Sequence, residues 1–540
     1  MTRVTPKNLE IEWQFAALDT RPVLRWLQTH PVPGFTVEPE GTQTLDDTYL
    51  DTPDWRIHRA GYTCRVRRKN TTAELTLKSM AEASEGIRTR REITAELAEP
   101  EADPRTAPGE AGEALRALCG RHPLVPLFRL LTTRQRFRLE DAAGTLAEIA
   151  LDDTTIPVAG DEPVRIARVE VEVQSEALER TRPFVDALVA ACSLGLATTS
   201  KFEAALVATG QRPPEPPAFG PETVQTTMTA AQVAFAVLRR QFRIFLQNEP
   251  GTRLGENIEA LHDMRVATRR LRAAMSTFRP FLSPRTLAFR DEFGQVARAL
   301  GEVRDLDVQL ERMAEWRTAF PPERAHLLDS IETLLLRRRT AARKRMLQVL
   351  DSRRYERLCS RFAAALRSGP PKSFAAGRAP ALAVAPDLVE RRYRKVRKLG
   401  DRIRKSSPPE AYHLLRIEAK KLRYALEFVG NGLYGKPALE FSARVTALQD
   451  LLGLHQDAYV AINMLEELAS SAGRRLSPET LMAMGMLAER YRNQAQELRS
   501  RFPAVYRQLR GTEWKKLLRL MEAQRPQPST HISLPPTDRP

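Results

Sequence analysis

The sequence predicts an α+β domain built around an antiparallel sheet, followed by an all-α domain of helical bundles. Up to about residue 210, short segments alternate between apolar and polar residues, which is the period of a half-buried strand. From residue 223 onward, Leu-, Ala- and Arg-rich segments repeat with the 3.6-residue period of a helix. At 540 residues the chain has room for two or three domains.

The elements of the first domain follow one another with short interruptions. Alternating segments occupy residues 9–15, 64–67, 74–78, 148–152 and 168–173. Helical patterns intervene near residues 22–28, 110–119 and 177–194. Because strands dominate and the connections are short, we expect an antiparallel sheet.

Pro-rich breaks set the expected domain boundaries. They lie at residues 211–217, around 369–386, and from residue 524 onward. The resulting division is a sheet domain at 1–207, a linker at 208–222, a first bundle at 223–368, a linker at 369–387, a second bundle at 388–523, and a tail at 524–540. The Pro-rich composition of the tail predicts disorder.

The distribution of charged residues also changes near residue 210, close to the boundary between the two predicted domains. The net charge is +17, but residues 1–210 carry 26 Lys and Arg against 32 Asp and Glu. The remainder is therefore strongly basic, and such a surplus favours a polyanionic partner.

Hydropathy and cysteine usage predict a cytoplasmic protein. No run of about twenty apolar residues occurs, and the first residues lack an apolar signal core. The four cysteines, Cys64, Cys119, Cys192 and Cys359, do not have metal-ligand spacing and are predicted to be structural thiols.

Charged residues of one sign share faces of the predicted strands, because side chains alternate with a period of two. Carboxylate doublets begin and end the series, at Glu10 with Glu12 and at Glu170 with Glu172. Rows of arginine lie between them, at residues 65 and 67 and at residues 134, 136 and 138. An ordinary sheet with one solvated face would explain alternation alone. The combination favours a closed barrel whose lumen gathers carboxylates suited to Mg²⁺ or Mn²⁺ and cations suited to phosphate oxygens.

The first domain resembles the CYTH family, whose fold is the triphosphate tunnel. The resemblance covers nearly all of residues 7–205 and rests on Glu10-x-Glu12, Tyr49 to Pro53, Arg65-x-Arg67, Glu74 to Lys78, Arg90-x-Glu92, Glu148 to Asp152, Glu170-x-Glu172 and Ser200 to Phe202. It implies an eight-stranded antiparallel tunnel and an inorganic triphosphatase that depends on a divalent metal, Mg²⁺ or Mn²⁺.

The resemblance also implies roles for individual residues. The implied metal ligands are Glu10, Glu12, Asp152, Glu170 and Glu172. The implied triphosphate-binding residues are Arg65, Arg67, Lys78, Arg90, Arg134, Arg136 and Lys201. The implied catalytic residues are Glu10, Glu12, Lys78 and Arg134.

One position departs from the family pattern, which opens Glu-x-Glu-x-Lys. Gln14 stands where that lysine is expected. A glutamine can hydrogen-bond a phosphate oxygen but supplies no charge, and a charge-assisted contact is about twice as strong. We therefore expect lower affinity or turnover, or a shifted substrate preference.

The basic part of the chain contains an internal repeat. The segment from His262 to Arg272 shares the skeleton H-x-x-R-x-x-x-[RK]-[RK]-L-R with the segment from His413 to Arg423. A second pair of matching blocks follows about forty residues later, at 300–305 and 452–457. The sequence therefore predicts a tandem duplication of a helical unit. On a helix, each repeat places its histidine and several cations on one stripe.

This repeated pattern resembles the CHAD family over about residues 222–510. The resemblance implies two four-helix bundles related by a pseudo-two-fold axis, with inorganic polyphosphate bound on the basic surface between them. The implied polyphosphate-binding residues are His262, Arg265, Arg269, Arg270, Arg272, His413, Arg416, Lys420, Lys421 and Arg423. The spacing suits no metal site, because no second His or Cys lies one turn away.

The leading hypothesis is a tripolyphosphatase whose helical domain docks polyphosphate or recruits the enzyme to polyphosphate granules. A non-catalytic polyphosphate-binding scaffold is the alternative that Gln14 keeps open. RNA binding is a third, but aromatic residues make up only 6% of the chain and do not interleave with the basic stripes. Adenylate cyclase activity occurs in relatives of the first domain, and the sequence offers no dedicated purine pocket. A membrane partner is not expected.

Overall fold

The computed structural model describes residues 9–68, 71–80, 86–318, 320, 322–472 and 476–526. The chain divides into two compact units, Met1–Pro216 with Pro250–Asn257, and Pro217–Glu249 with Ile258–Pro540. The first unit contains the sheet and the second is helical, as the sequence predicts. The predicted disordered tail lies outside the described residues from position 527.

Eight antiparallel strands close into a barrel in the first unit. Their order around the barrel is β5-β4-β3-β2-β6-β7-β8-β1, and β1 pairs with β5 to close it. The strands are β1 Leu9–Ala17, β2 Thr36–Asp51, β3 Tyr62–Arg68, β4 Ala73–Ser79, β5 Ile87–Leu97, β6 Val125–Asp141, β7 Gly144–Ile156 and β8 Val164–Val173. The predicted eight-stranded antiparallel barrel is confirmed.

The apolar faces of the strands point out of the barrel and are covered by helices. The helices are α1 Arg21–Thr29, α2 Arg56–Arg59, α3 Gly109–Cys119, α4 Leu178–Cys192 and α5 Lys201–Ala208. Trp13, Val171 and Phe184 belong to one buried cluster on this outer side, and Leu77 and Leu115 belong to another. Burying each such side chain contributes about 1.5–3 kcal/mol. Since alternate residues face opposite ways, the charged residues are turned into the lumen.

Long helices build the second unit. They are α6 Ala230–Leu254, α7 Ile258–Thr277, α8 Pro284–Thr318, α9 Asp329–Leu350, α10 Arg353–Ser368, α11 Ala381–Gly400, α12 Pro409–Ala425, α13 Asn431–Tyr434, α14 Lys436–Ala472, α15 Pro478–Gln508 and α16 Thr512–Ala523. A single π-helical turn, Leu426–Gly430, follows α12. The repeated motifs fall on α7 and α12, and their companion blocks fall on α8 and α14.

The two halves of the helical unit share one hydrophobic core. Residues from Phe219 to Met521 belong to the same buried cluster. A smaller cluster joins the far ends of α8, α9, α14 and α15, where Trp316 donates a hydrogen bond of 2.7 Å to the Tyr491 hydroxyl. The duplicated halves therefore fold as one domain.

The second predicted linker, 369–387, is shorter in the structure, because α11 begins at Ala381 and includes Pro386. A proline inside a helix removes one backbone hydrogen bond. Ala381, Ala385 and Leu388 are buried on one face of this helix, and their burial offsets that loss.

Two further expectations concern the cysteines and the membrane. All four cysteines lie in the described ranges, and none forms a disulfide bond. Among the described helices, none combines the length and apolarity that a membrane crossing requires.

Candidate functional site

The barrel encloses a cavity of about 960 Å³ to which all eight strands contribute side chains. All five predicted metal ligands line it. Six of the seven predicted triphosphate-binding residues also line it, namely Arg65, Arg67, Lys78, Arg90, Arg134 and Lys201. Arg136 lies beyond the cavity on the same face of β6, where it is 3.6 Å from Glu148.

One group of ion pairs joins β1, β4 and β5. Lys78 pairs with Glu10 and lies 3.3 Å from Glu92, and Arg90 pairs with Glu12. Burial lowers the pKa of Lys78, but Glu10 and Glu92 outweigh it and raise that pKa above its usual value. Lys78 therefore stays charged inside the cavity.

A second group joins β6, β7 and β8 to the start of α5. Arg134 donates to Asp152 at 2.8 Å and to Glu170 at 2.7 Å. Lys201 pairs with Asp152 and donates to Glu170 at 2.8 Å. A capping box between Ser200 and the third helical residue fixes the start of α5 and thereby positions Lys201. Burial raises the pKa of Glu170, but Lys201 and Arg134 outweigh it and hold that pKa well below its usual range.

A third group contains a residue that sequence reasoning missed. Arg67 donates two hydrogen bonds to Asp47, of 2.7 and 3.0 Å, and Arg65 lies 3.6 Å from the same carboxylate. Asp47 shares its strand face with Leu45 and Tyr49, so the pattern along β2 does not mark it as a site residue. Arg88, Glu92 and Glu148 also line the cavity, and they too were absent from the predicted set.

Gln14 sits inside these carboxylates rather than at the rim. Its side-chain amide donates to Glu12 at 2.9 Å and to Glu170 at 3.1 Å, and only 6% of the residue is exposed. Gln14 thus bridges the first and second groups of ion pairs. The neutral amide hydrogen-bonds two carboxylates whose negative charge a lysine at this position would partly neutralise.

Glu172 is a cavity carboxylate that does not pair with any of the described lysines or arginines. In the register of the barrel it lies between Glu12 on β1 and Glu148 on β7, and like charges placed opposite one another are destabilising. It makes no hydrogen bond or ion pair with any described residue. Burial and the nearby Glu10, Glu92 and Glu148 raise the pKa of Glu172 to about 7, against the opposing effect of Lys78.

The chemistry of this donor set suits a hard divalent cation. The described lining contains ten carboxylates and seven Lys or Arg side chains, so the cavity walls carry net negative charge. Carboxylate oxygens are the donors that Mg²⁺ and Mn²⁺ prefer. Yet no three Asp, Glu, His or Cys side chains converge as a metal site in the described part of the chain, because lysine and arginine already occupy most of the carboxylates.

The second candidate site lies where α7 and α12 meet in the helical unit. Five predicted residues converge there: Arg265, Arg269, Arg416, Lys420 and Arg423. Burial, Arg269 and Arg416, followed by Arg265 and Arg423, lower the pKa of Lys420 to about 7. We call these five residues the central cationic cluster.

The two repeats position their arginines in the same way. Arg265 lies against Gly301 of α8, with its guanidinium 3.3 Å from Asp305. Arg416 lies against Gly453 of α14, and Asp457 is its principal opposite charge. The matching blocks on α8 and α14 therefore support the arginines on α7 and α12.

The two predicted histidines differ in their contacts. His413 Nδ1 is 2.7 Å from Gln456 Oε1, which ties α12 to α14. At the equivalent position His262 faces Arg304, and burial together with that arginine lowers the pKa of His262. His262 is therefore neutral near pH 7, and the contacts of the two histidines favour a helix-positioning role.

Three predicted polyphosphate-binding residues do not join the cluster. Arg270 donates to Glu427 at 2.8 Å, and Lys421 donates to Glu418 at 2.5 Å. Arg272 has Arg290, Asp291 and Arg298 as its charged neighbours instead. The stripe predicted from helical spacing thus divides between the cluster and the flanking helices.

Family models match both units. The CYTH domain model matches residues 9–205 and the CHAD domain model matches residues 236–466. The chain therefore carries a CYTH domain followed by a CHAD domain. CYTH domains are metalloenzymes that typically use divalent metals, and their family includes triphosphatases, which supports a triphosphate-related role.

Known proteins share this organisation or parts of it. An uncharacterized protein of Mycobacterium tuberculosis is 28% identical over 504 residues, covering 88% of this chain and 91% of the relative. The crystal structure of the CHAD domain from Ricinus communis is 25% identical, with a TM-score of 0.44, covering 54% of this chain and 96% of that one. A Hippeastrum adenylyl cyclase described as having a dominant triphosphatase activity is 16% identical, with a TM-score of 0.27, covering 37% and 96%.

Proposed function

We propose that the barrel hydrolyses inorganic tripolyphosphate, or a related triphosphate, with a divalent cation, and that the helical domain binds inorganic polyphosphate. The observation that carries the proposal is the enclosed cavity, where cations and carboxylates from all eight strands face one another. A solvated sheet face would not need this arrangement, because burying charges is costly unless they are paired or meet a ligand.

The cations of the cavity would hold the phosphate chain. Arg65 and Arg67 lie on one wall, Lys78 and Arg90 on the next, and Arg134 with Lys201 belongs to the group on β6, β7 and α5. Arginine and lysine form strong charge-assisted hydrogen bonds to phosphate oxygens. Arg136, which lies beyond the cavity, would contact a chain that extends past it.

The carboxylates Glu10, Glu12, Asp152, Glu170 and Glu172 would hold Mg²⁺ or Mn²⁺. When bound, a divalent cation neutralises phosphate charge and polarises the phosphoryl oxygens. The net negative walls support this requirement, because a bare polyanion would be repelled by the excess carboxylates.

The charged residues of the cavity would then have separate roles in hydrolysis. Water adds to the terminal phosphorus, the phosphoanhydride bond breaks, diphosphate leaves, and a cavity carboxylate accepts the proton of the water. Lys78 and Arg134, held in place by Glu10 and Asp152, stabilise negative charge on the transferring and leaving oxygens. Their fixed positions avoid reorganisation during the reaction.

Release of phosphate from tripolyphosphate in Mg²⁺ or Mn²⁺ tests the enzymatic part. We expect activity in the wild type and its loss in Glu170→Ala, which removes one of the two carboxylates that Arg134 and Lys201 share and leaves them with Asp152. Glu162→Ala, at an exposed position outside the cavity, is the matched control and should keep full activity. ATP, thiamine triphosphate and long-chain polyphosphate should be compared as substrates.

A non-catalytic scaffold is the competing proposal, and the neutral Gln14 in the cavity supports it. Binding of tripolyphosphate without any phosphate release, under every metal condition, would establish the scaffold and refute the hydrolase.

The central cationic cluster supports polyphosphate binding by the helical domain. Its charges are mutually repulsive, and a linear polyanion would relieve that repulsion. Such binding could also recruit the enzyme to polyphosphate granules. Calorimetric titration with long-chain polyphosphate should show much weaker binding for Arg269→Ala, while Lys395→Ala, at an exposed position on α11, should bind like the wild type. Easy displacement of polyphosphate by RNA would instead favour RNA as the partner.

A further inference from the structure

A second basic pocket lies in the last part of the helical unit, apart from the central cationic cluster. It has a volume of about 250 Å³ and opens between the end of α11, the start of α12 and the last turns of α15. Its cationic residues are Arg404, Lys405, Arg499, Arg507 and Arg510, and its carboxylate is Asp401. None of the five cluster residues lines it.

Asp401 does not neutralise the positive charge of this pocket, because its carboxylate already accepts hydrogen bonds from other groups. The Tyr506 hydroxyl donates to Asp401 at 2.9 Å and Arg397 donates to it at 3.1 Å. Arg510 is 3.9 Å away from the same carboxylate. The side chains of Lys405 and Arg507 form no ion pair or hydrogen bond with any described residue. The pocket therefore has a clear excess of positive charge.

Arg499 is held in place without a carboxylate. Its Nε donates to His455 Nε2 at 3.1 Å and its Nη2 donates to the Tyr459 hydroxyl at 3.0 Å. Its guanidinium also lies over the Tyr412 ring, 5.1 Å from the centroid. Burial, together with Arg499, lowers the pKa of His455 to about 4, so the imidazole is neutral and accepts this hydrogen bond. The remaining guanidinium nitrogen, Nη1, is left for a ligand, and a positioned arginine loses little entropy on binding one.

The first half of the duplicated domain lacks most of these cations. The positions 151 residues before Arg499, Arg507 and Lys405 hold Gln348, Glu356 and Leu254, and a cation is kept only at Arg253, 151 residues before Arg404. The tyrosine and its acidic partner are retained, because Tyr355 donates to Glu249 as Tyr506 donates to Asp401. The scaffold is therefore common to both halves, whereas the basic pocket is specific to the second.

We infer that this pocket binds a short free phosphate anion, of the size of diphosphate. At about 30 Å³ per water molecule, a volume of about 250 Å³ accommodates a diphosphate with part of its hydration shell. An extended polymer could place only a short segment of its chain inside it. The inference stands on the geometry of the pocket and does not depend on hydrolysis in the barrel.

Hydrogen–deuterium exchange of the full-length chain locates such binding. Sodium diphosphate is titrated without divalent metal, and protection is followed in peptides covering residues 400–412 and 499–510. We expect saturable protection there at submillimolar diphosphate. In the double variant Lys405→Ala/Arg507→Ala, the half-saturating concentration should rise at least about tenfold, because two charge-assisted contacts are lost. Binding in the barrel does not affect this local readout.

Arg501→Ala is the matched control, since Arg501 is exposed on the same helix and does not line the pocket. It should retain wild-type protection. Protection by long-chain polyphosphate but not by diphosphate would overturn the inference and assign the pocket to a polymer surface. Equal protection by sulfate, or no protection by diphosphate below millimolar concentration, would also overturn it.

Discussion

The barrel cavity and the central cationic cluster are both rich in arginine and lysine, but their charges are compensated differently. In the barrel, Lys78, Arg90, Arg134 and Lys201 each contact at least one carboxylate. In the helical domain, Lys420 is surrounded by four arginines. The paired cations of the barrel are positioned before a ligand arrives. In the cluster, Arg265, Arg416 and Arg423 each have a carboxylate nearby, but four arginines repel the charge of Lys420. This difference suits a catalytic site in the first case and a binding surface in the second.

The largest expected effect comes from removing a paired cation in the barrel. Arg134→Ala leaves Asp152 and Glu170 with only Lys201 between them, and removes a donor for developing phosphate charge. We expect kcat for tripolyphosphate to fall about 10²–10³-fold and Tm to fall as well, because buried carboxylates lose a partner. Phosphate release and thermal unfolding measure the two effects.

Arg165→Ala is the control for this prediction, since Arg165 is exposed on β8. It should change neither quantity. If Arg134→Ala kept a tenth or more of the wild-type kcat, the barrel pairs would be structural only and the contrast between the two regions would fail.

In the central cationic cluster, removing a cation is expected to raise Tm, whereas removing one from the barrel is expected to lower it. Lys420→Met removes one of several repelling cations from a largely buried position, so the ligand-free domain should become more stable, with Tm rising by about 1–4 °C. Polyphosphate affinity should fall about tenfold because one charge-assisted contact is lost. Thermal unfolding and calorimetry test this together. A fall in Tm with unchanged affinity would mean that Lys420 is a structural residue.

Protonation of Lys420 gives the cluster a pH dependence that the barrel pairs lack. Its pKa of about 7 in the free protein should rise when a polyanion binds, so binding takes up a proton above pH 7. Affinity is then highest below pH 7, and at pH 8 it should be lower by up to about tenfold, since protonation costs about 1.4 kcal/mol per pH unit. Titrations in buffers of different ionisation enthalpy would detect the uptake. Lys420→Met should reduce it, and uptake that was unchanged in this variant would refute the assignment.

The sequence predicts which face of a strand or helix a side chain lies on better than it predicts which residue of another element that side chain contacts. Alternation along single strands placed Glu10, Glu12, Glu170 and Glu172 on the inner face, where they lie. Asp47 escaped prediction because its importance depends on the pairing of β2 with β3, which brings it opposite Arg67. Strand register is a property of the closed sheet.

The helical stripe shows the same limit. Spacing placed Arg272 with Arg265 and Arg269 on one face of α7, yet Arg272 has neighbours on α8 and does not reach the cluster. Helices that cross at an angle stay close only near the crossing point. The local period therefore identified the face, and tertiary packing decided which of its cations converge.

The smallest expected effect tests how much Gln14 weakens the binding of tripolyphosphate in the barrel. Gln14→Lys would place a charge between Glu12 and Glu170, where the amide now donates two hydrogen bonds. Because those carboxylates can neutralise the new ammonium, we expect the variant to fold and the KM for tripolyphosphate to fall about two- to fivefold, with kcat nearly unchanged. Gln14→Met has a similar size without the hydrogen bonds and should raise KM instead. An increase in kcat without a change in KM would show that this position acts on the chemical step and not on substrate binding.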